Sequence, residues 1–457
     1  MNMSLRLWSW LMRQKFIIMA GMLCFALVVF VFVKLWTVDD GWFMMIGNKL
    51  VHTGSVRYFF SNGNAEAPFL RLWAYVLGFV GSACGFSPRA YFIYRIPNLV
   101  LSLLALFVLD KTLRHISVSA GCRALGLGLM TLWFCVAAAG ISCRPDVCYV
   151  FAITMSILAH VRFSQGDKKL LYVSMLLNAL AASIHPNGMV GFMVNAITVV
   201  MERKALRTRD VVGILICGCV SLLVLVKILA WNGSVAHFLS VLESDQADPA
   251  HSLPFYKEYI RVAALLVYDT PVVPFFALAL VPLFSRRTPQ KNFLRACVLG
   301  ALAYLVLFPS KWDHYYSILV PALSMLLALF AQSFEQEKRK VLAAVLSGCL
   351  ACFLLIAAVN DSVNSVLFQS LLLHTKWVRA AQSLQSATRG KVVSASPVFY
   401  PYLVQAHMPG ADERGISPDY KITYYDEMPQ PGMRFAQTIR FEGKYFNVYA
   451  HVNENEK

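Results

Sequence analysis

Apolar residues in this chain come in long uninterrupted blocks rather than in strict alternation. The first block runs from Ile17 to Trp36, and others follow near 93–110, 124–141, 146–163, 170–184, 188–201, 211–231, 260–284, 293–309, 315–334 and 341–359. A helix needs about twenty such residues to cross the hydrocarbon core of a bilayer. The pattern therefore predicts an α-helical polytopic membrane protein with about eleven transmembrane helices. A further apolar stretch at 67–86 is interrupted by Arg71, Gly81 and Gly85 and is expected to be re-entrant or interfacial. The opening block follows the basic segment MNMSLRLWSWLMRQKF without a small-residue cleavage site, and is expected to remain as the first membrane helix.

The pattern changes after about residue 360. Pro397, Pro401, Pro409 and Gly410 punctuate the chain, and stretches such as KITYY and KYFNVYAHV alternate in the manner of short strands. Two parts are expected: a transmembrane module over 1–359, with a long first loop at 37–92, and a small C-terminal α/β domain over 360–457 entered through a helix at 364–388.

Composition agrees with the pattern. Of 457 residues 58% are hydrophobic and only 14% charged, against about 25% charged in soluble domains. The mean hydropathy is +0.57. Membrane lipid is thus the implied solvent. The formal net charge of +16 would suggest a nucleic-acid partner in a soluble protein. Here the cations fall in short segments that share one side: Arg6, Arg13 and Lys15; Lys111, Arg114 and Arg123; Arg162, Lys168 and Lys169; Arg203, Lys204, Arg207 and Arg209; Arg286, Arg287 and Lys291; Lys338, Arg339 and Lys340. By the positive-inside rule this side, with the N-terminus, is cytoplasmic. No basic block with interleaved aromatics is present, so nucleic acid is not expected as a partner. A twelfth span at 67–86 would break the alternation of charge, which supports the interfacial assignment. The eleven Cys lie almost all in or beside apolar blocks and read as small buried hydrophobes, not as a disulfide framework.

The unusual polar residues fall on the opposite, extracytoplasmic side. Asp39 and Asp40 directly follow the first block; then come Glu66, Arg95, Arg144, Asp146, His185, Lys311, Asp313 and His314. Carboxylates at a membrane edge are costly and tend to mark working sites. Each residue also has a structural role open to it. Arg144 suits a snorkelling anchor. Asp146 after Pro145 suits a helix first turn. Arg95 before Ile96 and Pro97 suits a helix start. His185 before Pro186 suits a turn, and Lys311 and His314 an interfacial belt. Taken together, carboxylates and cations converging from separate helices suggest a pocket for an anionic head group. Outside the cytoplasm, group transfer needs a lipid-borne donor such as a polyprenyl phosphate sugar. A carboxylate would serve as base for an acceptor hydroxyl, and Arg or Lys would hold the leaving phosphate.

These segments resemble the GT-C glycosyltransferases, among them the lipid A aminoarabinose transferases and protein O-mannosyltransferases. TVDDGWFMMIGNKL is similar to their Asp-Asp/Asp-Glu segment, NAEAPFLRLW to their Glu-x-Pro-Pro-Leu-Tyr stretch, and RIPNLVLSLLALF to their Arg-Leu-Pro helix start. SCRPDVCYVFAITMSILAHVRF resembles their Arg-Pro-Asp helix, IHPNGMVGF their Lys/His-Pro-x-Gly turn, and DHYYSILVPALSML their Tyr-Tyr and Pro-Ala-Leu helix. The set is ordered over roughly residues 30 to 335. The sequence departs from the family at Ala67, which stands where the paired prolines begin and where aminoarabinose transferases place a Lys.

The resemblance implies a GT-C fold, a polyprenyl-phosphate-sugar donor and inversion at the anomeric carbon. It implies Asp39 as the catalytic acidic residue with Asp40 beside it. Glu66, Arg95, Arg144, Lys311 and His314 are expected to bind the donor, with Asp146 and His185 in supporting roles. The acceptor would be a glycan, lipid or protein. Asp39 and Asp40 could also bind a divalent cation, although two adjacent residues supply few of the oxygens such an ion requires. Two other functions suit a polytopic envelope protein. A lipid-linked glycan transporter or flippase would carry mid-membrane charges and broken helices in related halves; Lys227, near a helix end, is the nearest case. An O-antigen polymerase or ligase is expected to carry its main catalytic loop late in the chain, whereas the informative loop here is the first.

Overall fold

The computed structural model describes residues 21–28, 31, 43–44, 46–48, 50–51, 71–84, 93–136, 142–203, 206–231, 273–284, 288–307, 313–336, 348–349, 352, 393–395, 420–424, 433–441 and 444–451. Among the described residues the main helices are α1 (Arg71–Ala83), α2 (Ile96–His115), α3 (Ala120–Val136), α4 (Asp146–Ser164), α5 (Lys169–Ile184), α6 (Val190–Glu202), α7 (Thr208–Trp231), α8 (Val273–Leu280), α9 (Pro289–Leu307) and α10 (Val320–Gln336). Short 3₁₀ helices at Pro186–Met189, Val281–Phe284 and Asp313–Leu319 lead into or out of them. Four helical stretches are long and apolar enough to cross a membrane: Ile93–His115, Asp146–Ser164, Thr208–Lys227 and Tyr316–Ser333. The blocks expected near 17–36 and 341–359 lie partly outside the described residues, and the helix expected at 364–388 lies wholly outside them.

Chain contacts divide the molecule into two compact units. One holds Met1–Phe30, Asn98–Ile141 and Pro145–Ala358; the other holds Val31–Pro97, Ser142–Arg144 and Val359–Lys457.

In the first unit α4 packs on α5, α5 on α6 and α7, α6 on α9, and α10 on α3 and α8. Helix boundaries follow local chemistry. α4 opens with Asp146 in its first turn, where a carboxylate favours the positive end of the helix dipole. It ends as the chain turns through Gly166, whose φ of +117° only glycine adopts readily. Polar residues inside the bundle are small and paired, as expected where lipid removes the hydrophobic drive between helices. The hydroxyls of Ser156 and Ser174 lie 3.0 Å apart between α4 and α5. Asn178 Nδ2 donates to Asn195 Oδ1 at 2.9 Å between α5 and α6. Thr112, Thr154 and Thr198 return their hydroxyls to carbonyls one turn back, which satisfies them within their own helices.

The second unit contains the helical residues between 43 and 51 together with α1. Their backbones meet at Gly47 and Gly78. A Cβ on Gly47 would lie 2.7 Å from the Ala74 carbonyl oxygen, and one on Gly78 would strike the Gly47 carbonyl. No larger residue fits that crossing. The same unit carries a four-stranded sheet of β1 (Val393–Ala395), β2 (Tyr420–Tyr424), β3 (Met433–Phe441) and β4 (Lys444–His451), in the order β1-β2-β4-β3. β1 runs parallel to β2, and β4 pairs antiparallel with both β2 and β3, with an irregularity between Phe435 and Gln437. KITYY and KYFNVYAHV supply two of the strands, and MRFAQTIRF, not singled out in the sequence, supplies the edge strand β3.

Candidate active site

Asp39, Asp40, Glu66 and Lys311 lie outside the described residues, and His314 falls on the 3₁₀ helix Asp313–Leu319. The remaining candidates form two groups, one in each unit.

Arg95 and Arg144 belong to the second unit. Arg95 ends a 3₁₀ turn just before α2 and is wholly buried, a position that the Pro97 in the first turn of α2 tolerates. Its Nη1 donates to the Val31 carbonyl at 3.2 Å. The neighbouring Tyr94 donates from its hydroxyl to Asn48 Oδ1 at 3.2 Å. Trp73 of α1 donates to the Cys143 carbonyl at 2.6 Å, which holds the 142–144 segment against α1. Arg144 follows at once. Its backbone N–H donates to Ser142 Oγ at 3.3 Å, and its guanidinium carbon lies 5.8 Å from the centroid of the Phe43 ring, within cation–π range. Only 7% of Arg144 is exposed. The snorkelling role open to it in the sequence is therefore replaced by packing inside the unit. Phe43 follows Asp39 by four positions, so the chain that carries the acid pair leads directly to the ring beneath Arg144.

Asp146 and His185 belong to the first unit. Asp146 is buried and accepts at Oδ1 from the Tyr149 hydroxyl at 2.9 Å. The ring of Tyr149 lies 5.7 Å from that of His185. His185 caps the 3₁₀ helix Pro186–Met189: its Nδ1 accepts from the Asn187 backbone N–H at 3.2 Å. Asn187 Oδ1 accepts in turn from the Tyr304 hydroxyl on α9 at 3.1 Å. Thus α4, the turn after α5 and α9 are tied through one ring contact and three hydrogen bonds. Tyr149, Asn187 and Tyr304 escape a sequence reading because a Tyr in an apolar helix looks like packing. The signal that could have found them is the joint presence of an Asp, an Asn and two hydroxyls in otherwise apolar segments.

No family model matches the sequence, and no curated protein matches it. The structure is similar to that of ArnT from Cupriavidus metallidurans bound to undecaprenyl phosphate, with a TM-score of 0.62, 13% identity and 98% of each chain covered. It is similar to the apo state of the same protein, with a TM-score of 0.59 and 12% identity over 95% of this chain and 97% of that one. The chain has a GT-C fold. The arabinosyltransferase EmbB from Mycobacterium smegmatis shares this fold at a TM-score of 0.50 and 15% identity, over 68% of this chain but only 30% of EmbB. A GT-C fold at such low identity means that the architecture is common and most side chains are not. It also makes this a polytopic membrane protein with a C-terminal α/β domain.

Proposed function

We propose that this protein is an inner-membrane glycosyltransferase that moves a sugar from a polyprenyl-phosphate donor to a hydroxyl of an extracytoplasmic glycan or lipid acceptor, with inversion. One observation carries it. Arg95 and Arg144, from separate stretches of sequence, are both buried in the unit that also holds the helical residues just after Asp39 and Asp40. Buried guanidiniums are the side chains best suited to a phosphate. The full-length likeness to a GT-C structure holding undecaprenyl phosphate supports the donor class.

In the reaction, Asp39 takes the proton of the acceptor hydroxyl as its oxygen bonds to the anomeric carbon. The bond from that carbon to the phosphate oxygen breaks on the opposite face, and the electron pair leaves with polyprenyl phosphate. Arg95, Arg144, Lys311 and His314 stabilise the charge developing there, and Glu66 binds the donor beside them. Asp40 neighbours the base. Asp39 and Asp40 are also the side chains that would hold a divalent cation, which needs about six to eight oxygens in all for calcium or six for magnesium. The site faces outward and the N-terminus is cytoplasmic.

The test is sugar transfer in proteoliposomes. Asp39→Asn should abolish transfer while leaving expression and insertion intact, and full activity in that variant would sink the assignment. Comparing surface glycans of a deletion strain by mass spectrometry identifies the sugar and the acceptor.

A further inference from the structure

We infer that His185 donates from Nε2 to an anionic oxygen of the lipid-phosphate head, with Asn187 and Tyr304 as positioning residues that set its tautomer. The inference rests on the proposed function and adds a neutral donor to its cations. The reasoning begins at Nδ1, which accepts from the Asn187 backbone N–H at 3.2 Å. A ring nitrogen accepts only through its lone pair, so the proton of the neutral imidazole sits on Nε2. The turn that supplies this N–H is anchored from α9, since the Tyr304 hydroxyl donates to Asn187 Oδ1 at 3.1 Å. Tyr149 lines the imidazole at 5.7 Å and is itself held by Asp146.

Burial gives the chain a direction. Asp146, Tyr149, Asn187 and Tyr304 are all buried, whereas His185 is half-buried. The partly accessible end of the chain is thus the imidazole, with its nature as a donor decided by groups that solvent does not reach. Asn187 adds a second donor on the same turn. Its Nδ2 is buried with no hydrogen-bond partner among the described residues, and a buried N–H of this kind calls for an oxygen. A fixed tautomer matters because the other one would offer a lone pair to a phosphate oxygen and repel it.

The experiment titrates undecaprenyl phosphate into the detergent-solubilised full chain, with inorganic phosphate in parallel, and follows binding by native mass spectrometry. Wild type should take up the lipid and not the free ion. His185→Gln, whose amide N–H₂ reaches near the position of Nε2, should bind within about threefold of wild type, as the donor is kept. His185→Ala and the shorter His185→Asn should lose about ten- to a hundredfold, the worth of a hydrogen bond to a charged group. Tyr304→Phe should weaken binding less, and should turn the single Nε2–H tautomer of ¹⁵N-labelled His185 into a mixture by NMR. Thermal melting checks that each variant is folded. If wild type binds and His185→Ala binds equally, or if His185→Gln loses as much as His185→Ala, the inference is overturned and the proposed function stands. If wild type binds no lipid, both fall. Uptake of inorganic phosphate as tight as that of the lipid overturns the assignment to a lipid head.

Discussion

The two ends of α4 solve the burial of polar groups in opposite ways. At its start, Asp146 accepts from Tyr149, and the neighbouring His185, Asn187 and Tyr304 continue the chain at ordinary hydrogen-bond distances. About 21 Å further along the helix, His160 and Glu202 are also buried, but Nε2 and Oε1 stand 3.4 Å apart without forming a hydrogen bond. The imidazole is instead stacked on Phe293 at 3.8 Å and met edge-on by Phe163. The first end is a bonded network that fixes the orientation of each member. The second is a polar pair enclosed by aromatic packing, which ties α4 to α6 and α9. A network of fixed orientation is what a binding site needs. A sealed pair serves only to hold helices together.

Substitutions sharpen this contrast, and the largest effect falls at the sealed end. Glu202→Ala should lower the stability of the solubilised protein by about 3–5 kcal/mol, because it strands His160 in an apolar pocket. The double variant His160→Leu/Glu202→Leu should recover most of that loss, as both polar groups are then gone; thermal melts of the four proteins in a double-mutant cycle give the coupling. Binding of undecaprenyl phosphate per folded molecule should not change in either. A selective loss of binding there would erase the distinction between the two ends.

At the bonded end the expected cost to stability is smaller and the cost to function larger. Tyr149→Phe removes the donor to a buried carboxylate and should destabilise by about 1–3 kcal/mol, with lipid binding reduced beyond what the loss of folded protein explains. Tyr304→Phe removes one neutral hydrogen bond and should cost about 1 kcal/mol. The smallest effect belongs just past the end of α4, where Arg162 and Asp167 form an ion pair at 3.4 Å with nearly half of each side chain exposed. Arg162→Ala should change stability by less than about 0.5 kcal/mol. A larger loss would show that this surface pair, unlike its kind, is shielded from water.

Much of the architecture is visible in the order of apolar blocks. α2 to α7, α9 and α10 fall where blocks of apolar residues predict helices, and two of the four strands are named by alternation alone. Parts of the candidate site are visible too, since Arg95, Arg144, Asp146 and His185 stand out as polar residues at helix ends. Their surroundings are not. Arg144 reads equally well as an anchor at the membrane edge, and only the Phe43 ring and the 142–144 segment held by Trp73 make it a buried group. Tyr149, Asn187 and Tyr304 carry no signal in a single sequence, because the partner of each lies on another helix or in another turn.

Hydropathy alone determined that this chain lives in lipid, because a backbone surrounded by apolar side chains over about twenty residues is stable there only as a helix. Local chemistry determined where several helices begin and end. What hydropathy could not decide is which helix faces lipid and which faces protein, since both environments are apolar. Thr208–Lys227 and Tyr316–Ser333 both read as spans, yet 17% of the first and 78% of the second is buried within the protein. That division, like the pairing of Tyr304 with Asn187, comes from packing between distant segments, and packing is a property of the tertiary structure.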